Sequence, residues 1–214
     1  MFDGKPIQQV HSTKFLGVYI TEHLSWATHI QQVVSKISKT CGILTKLKHT
    51  LPRSVLLAIY NTLFLPYLQY CAIIWAGSSL NVLKQIIFVQ KRAVRNICNV
   101  SKMTHAAPLF KKLGILKIND IYTQQVSQFM YKFNQDLLPE NFQKYFSKNS
   151  TVHHHNTRSA DNLHLSFSHT TLRLQCIKNA GPRIWNALPD DLKTSCSLNV
   201  FSKKLKSSII NSYI

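Results

Sequence analysis

The sequence predicts a mainly α fold with minor β (α+β): an N-terminal β-hairpin, a helical bundle, and a C-terminal hairpin and helix. Three observations predict it. Apolar residues recur at helical spacing over two long stretches, roughly 25–49 and 81–98. Pro52, Pro66 and Pro139 stand where helices would begin, since proline suits the first helical turn. Two-residue alternation is confined to the neighbourhoods of 14–20 and 163–176.

Residues 5–20 read as two extended segments joined near His11, Ser12 and Thr13. Leu16, Val18 and Ile20 share one face of the second. A helix then runs from about Ser25, its N-cap, to about His49. Its apolar stripe is Ile30, Val33, Val34, Ile37, Cys41 and Leu44, with Lys39 and Lys46 opposite and Lys36 nearby. Between Arg53 and Lys84 no residue is charged. Asn61, Thr62, Pro66 and Gln69 interrupt this run, both flanks are basic, and its aromatics are spread along it. Those features predict two buried helices meeting at Pro66 and argue against a membrane span, which leaves a membrane-associated helical protein as the alternative.

After "AGSSLN" a helix from about Asn81 to Cys98 should bury Leu83, Ile86, Ile87, Val94 and Ile97. "THAAPLFKKLGILKIND" suggests a short helix and a connector ending in a cap at Asn119. The helix that follows carries Tyr122, Val126, Phe129, Met130 and Phe133 on one side, and helical structure restarts at Pro139. "SKNSTVHHHNTRSADN" is polar and turn-rich, hence a loop. Leu163, Leu165 and Phe167 alternate, as do Leu172, Leu174 and Cys176, which predicts a hairpin. "GPRIWNALP" and an amphipathic helix with Val200, Phe201, Leu205 and Ile209 close the chain. The segments expected are a hairpin at 1–22, a helical bundle at 23–104, a helical connector at 105–147, and a C-terminal loop, hairpin and helix region at 148–214.

Charge points to a partner. In 214 residues, 26 Lys and Arg face 8 Asp and Glu, for a formal net charge of +18. Such self-repulsion implies an anionic partner, with RNA or DNA first and an anionic membrane surface as the alternative. Lys84, Arg92 and Arg95 share one flank of the 81–98 helix with Phe88, and Lys91 sits at its border, all within about a third of the circumference. Cations around an aromatic suit a phosphate backbone and an exposed base or sugar. The plainer reading is a solvated lysine face with Phe88 packed on another element. Lys36, Lys39 and Lys46 extend the candidate nucleic-acid-binding set.

Chemistry is harder to find. Of the eight carboxylates only Asp190 and Asp191 are adjacent, and they follow Pro189, where acidic side chains cap a helix start. No catalytic residue, cofactor or small-molecule substrate is expected. The five cysteines are odd in number and dispersed, without C-x-x-C, which argues against a disulfide scaffold or zinc knuckle. They suit a reducing, intracellular compartment, nucleus or cytoplasm. "HHHN" at His153–Asn156 could hold a metal in principle, but adjacent histidines converge poorly on one ion, so no metal is expected. "MFDGKPIQQV" lacks the apolar core of a signal peptide. There is no internal repeat, glycine-rich phosphate loop or G-x-S-x-G elbow.

One ordered series adds to this. "KFLGVYI" and "HLSWATHI", then "KISKTCGILTKLKHTLP", "PYLQYCAIIW", "VQKRAVRNI", "APLFKKLGILKIND", "HNTRSADN" and "GPRIWNALPDDLK" follow one another along nearly the whole chain. That order resembles the C-terminal region of reverse transcriptases of non-LTR (LINE-type, jockey-like) retrotransposons. The resemblance implies that Phe15, Leu16 and Gly17 belong to a palm-edge hairpin (1–22). It also implies that 23–104 is a thumb-like bundle lying on template–primer, with Lys91, Arg92 and Arg95 on its basic helix. Thr21 departs from the family, which usually has Asp there. The family's metal-binding aspartates lie upstream of the "FLGV" strand. The chain is therefore expected to bind nucleic acid as a reverse transcriptase fragment without polymerase activity of its own. The alternative is that it forms part of an intact RNA-directed DNA polymerase whose catalytic residues lie upstream. Loss of the neighbouring sheet would expose apolar faces and favour self-association.

Overall fold

The computed structural model describes residues 9–152 and 158–213. The chain forms two compact units, 1–71 with 78–102 and 72–77 with 103–214. In chain order the first elements are β1 (Ser12–Phe15), β2 (Val18–Thr21), α1 (Ala27–Leu47), α2 (Arg53–Leu63), α3 (Leu65–Gln69), α4 (Ala72–Trp75) and α5 (Leu80–Cys98). Then come α6 (Ala107–Leu113), α7 (Ile118–Asn134), a 3₁₀ turn (Glu140–Phe142), α8 (Asn149–Val152), α9 (Thr171–Gln175), α10 (Ile177–Asn186), α11 (Asp190–Lys193) and α12 (Leu198–Asn211). The protein is mainly helical, with one two-stranded antiparallel sheet among the described residues. The segments expected at 1–22 and 23–104 fall in the first unit, save 72–77 and 103–104, and the other two fall in the second.

The hairpin exists, but its turn is not at His11–Thr13. Ser12 pairs with Thr21 and Phe15 with Val18, so the chain reverses at Leu16 and Gly17. Both adopt positive φ, 45° and 83°, the condition of a type I′ turn whose twist matches the strands. What reads as one strand from Lys14 to Ile20 is the tip of two. Leu16 is exposed while Val18 is buried, because the turn breaks the alternation between them.

The core of the first unit is α1 packed on α5. Ile30, Val33, Ile37, Cys41 and Leu44 are buried against Leu83, Ile86, Val94 and Ile97. Val34 and Ile87, expected inside, are only half-buried and lie at the edge of this seam. Three polar side chains within the core find partners. Gln90 donates to the Tyr60 hydroxyl (3.0 Å), Asn96 to Thr45 Oγ1 (2.8 Å) and Thr40 to the Leu63 carbonyl (3.0 Å).

The uncharged run forms three short helices where two were expected. Pro52 caps α2 and Pro66 sits in the first turn of α3. The chain then breaks at Tyr70–Cys71, where Cys71 has φ 50°, and α4 belongs to the second unit. Tyr60 and Phe64 stack at 4.7 Å and are fully buried with Leu56 and Leu68. No helix among the described residues is long and apolar enough to cross a membrane.

In the second unit α7 is central. Ile118, Ile121, Tyr122, Val126 and Met130 are buried, facing α4, α10 and α12, which contribute Trp75, Trp185 and Phe201. Its N-cap is Lys117, so Asn119 lies in the first turn instead of capping it. Gly181 of α10 meets Met130 so closely that a Cβ would lie 2.6 Å from Sδ. Phe129 and Phe133, half-buried, join Phe142 and Phe146 in edge-to-face contacts of 4.8–6.5 Å. Pro139 begins only the 3₁₀ turn.

The C-terminal hairpin is a misreading. Leu163 makes one isolated bridge to Lys148, and Thr171–Gln175 is helical. Thr170 decides this by capping the helix: its Oγ1 accepts from the Arg173 N–H at 3.3 Å. Alternation over three apolar residues does not separate a strand from an irregular segment. His153–Asn156 lies outside the described residues.

Candidate nucleic-acid interface

Helix α5 is 19 residues without glycine or proline, begun at Ser79 and stopped by Asn99 in the left-handed conformation. The Val100 N–H closes the end on the Arg95 carbonyl at 3.1 Å, and Arg95 in the last turn complements the helix dipole. An amphipathic helix results, one side packed on α1. The other side carries the cations.

Lys84, Lys91 and Arg92 are exposed and Arg95 is half-buried. Phe88 is 66% exposed. The plainer possibility for Phe88, packing on another element, does not hold in this structure. Lys84, Gln85, Ile87, Phe88 and Lys91 line a groove of about 510 Å³ with Val34 of α1. Its floor is apolar, and the ammonium groups stand along it.

Arg92, though exposed, is near enough to α1 to act electrostatically on Cys41. Burial pushes the Cys41 thiol up, and Arg92 and an Asn96 hydrogen bond work against that shift. Glu22 is the one carboxylate among this unit's described residues, and it faces His11 (2.9 Å) and His23 (3.6 Å).

The sequence-derived set is thus divided. Lys84, Phe88 and Lys91 come together, with Arg92 and Arg95 on the same helix. Lys36, Lys39 and Lys46 are exposed on α1 and do not line that groove. Lys36 instead lies 5.1 Å from the centre of the Tyr67 ring, in a separate cleft. Sequence reasoning missed Val34 and Ile87 as groove residues. The available signal was their place at the margin of each apolar stripe. It also missed Lys14, Tyr19, Tyr67 and Tyr70, which are distant in sequence and converge only through the hairpin.

Asp190 and Asp191 occupy the first turn of α11, and Lys193 Nζ meets Asp190 Oδ1 at 3.0 Å. That is the helix-start role their spacing suggested. Among the described residues no group of three or more His, Cys, Asp or Glu could hold a metal ion. The chain matches no protein-family model, no curated protein and no solved structure.

Proposed function

We propose that the protein is a nucleic-acid-binding module related to the thumb region of non-LTR retrotransposon reverse transcriptases. It holds template–primer or structured RNA through phosphate contacts and lacks a polymerase centre. The observation that carries this reading is the solvent-facing side of α5, where Lys84, Lys91 and Arg92 surround an exposed Phe88. Cations without nearby carboxylates are free to replace condensed counterions on a phosphate backbone. The exposed ring offers a stacking surface, which a purely electrostatic face does not need. The order of motifs along the chain supplies the kinship. The role proposed is binding, since two-metal nucleotidyl transfer needs clustered carboxylates and the resemblance puts the family's metal-binding aspartates upstream of the "FLGV" strand.

Fluorescence anisotropy with a labelled RNA–DNA hybrid tests it. The wild-type chain should bind, and the K84E/K91E/R92E variant should lose most of that affinity while keeping its helical circular dichroism. Equal binding by the two would overturn the reading. Primer extension with magnesium and all four deoxynucleotides should give no product, and extension would overturn the binding-only role.

A further inference from the structure

A second concavity lies in the first unit, about 350 Å³ in volume and built from the hairpin, α1 and α3. That is within the size range of small-molecule sites. Lys14, Lys36, Tyr19, Tyr67 and Tyr70 line it together with His29, and no carboxylate is among its lining residues. Each lysine is held against a ring: Lys14 Nζ lies 5.8 Å from the Tyr19 centroid and Lys36 Nζ 5.1 Å from that of Tyr67. These contacts place both ammonium groups beside the cleft.

The cleft is also pre-formed. The Tyr70 hydroxyl donates to the Leu16 carbonyl at the hairpin tip, tying α3 to the turn. Gly17 supplies the positive φ (83°) that the turn needs, and the Tyr70 ring lies within van der Waals reach of it. His29 is buried, and its Nδ1 accepts from the Tyr19 N–H at 3.5 Å. Burial, with Lys36 nearby, holds its pKa below the usual histidine value.

Aromatic faces beside two cations suit a ligand that is itself a flat ring joined to an anion. Tyr67 and Tyr70 are 39% and 52% exposed, so ring surface remains open for stacking. We propose that this cleft binds a single nucleoside monophosphate unit, with the base on Tyr67 or Tyr70 and the phosphate between Lys14 and Lys36. The site is separate from the α5 groove and does not depend on that groove binding a polyanion.

Isothermal titration of the full chain with AMP tests it. Saturable binding is expected, and Lys14→Ala and Lys36→Ala should each weaken it roughly tenfold, the scale of one charge-assisted contact. Both lysines are exposed, so an unchanged thermal melt should show that the variants fold. Inorganic phosphate and adenosine should each bind at least roughly tenfold more weakly than AMP, because each lacks half of the recognised chemistry. The dinucleotide pTpT separates two sources of the same unit: tighter binding than AMP assigns the end of a strand, and equal or weaker binding assigns the free nucleotide. Absence of AMP and pTpT binding, variants that bind as wild type, or tighter binding of O-phosphotyrosine would each overturn the assignment.

Discussion

The two units carry similar numbers of cations and use them differently. The first holds twelve Lys and Arg against two acids, the second fourteen against six. In the second unit several cations are spent on the fold. Lys111 donates to the carbonyls of Asn211 (3.3 Å) and Tyr213 (3.1 Å), and Lys117 lies 4.0 Å over the Tyr213 ring. Lys193 and Lys148 face Asp190 and Asp161 at 3.0 and 3.6 Å. In the first unit Lys84, Lys91 and Arg92 stand on the outer side of α5, around Phe88. Net charge alone does not separate the two units, whereas the placement of acids and carbonyls does.

That contrast can be broken or sharpened by experiment. The largest effect should come from the seam that holds the α5 face in place. Leu44→Ala should destabilise the first unit by about 2–5 kcal/mol in chemical denaturation, because a fully buried leucine leaves a cavity. A smaller loss would mean that the α1–α5 seam collapses around the cavity. Next is the comparison of cations. K84E/K91E/R92E should cost roughly hundredfold in hybrid affinity at low salt, about three phosphate contacts, by anisotropy. K203E/K204E/K206E on α12 should cost less than roughly tenfold in the same assay. Equal losses would show that the whole surface binds by charge alone.

A smaller effect concerns the polar ladder beneath α5. Gln90→Leu leaves the buried Tyr60 hydroxyl without its donor and should lower stability by about 1–3 kcal/mol. Smallest is a pH effect at His29, whose folded pKa is depressed by burial. The unfolded chain takes up a proton near 6.5 and the folded ring resists it, so stability is full above that pH and falls as pH drops below it. His29→Gln should flatten this part of the stability–pH curve. An unchanged decline would place its origin elsewhere.

The same contrast explains what was legible. Helices α1 and α5 are long, their stripes run over many turns, and packing only confirms what the period dictates. Lys84, Phe88 and Lys91 were therefore placed correctly on one helical face from sequence. The hairpin turn is hard to read from sequence because Leu16 at positive φ has no composition signal, although Gly17 beside it does. Residues 163–176 read as strands because three alternating apolar residues do not separate a strand from an irregular or short helical segment; Thr170 at the start of α9 is the local signal against it. Charge alone groups Lys36 with the α5 cations, whereas in the fold it lies by Tyr67 in another cleft.

The salt dependence of duplex binding by the wild-type chain tests the central claim most directly. If Lys84, Lys91 and Arg92 each neutralise one phosphate, log Kobs against log salt should have a slope of about −2.7 or steeper. A slope near zero would contradict the account.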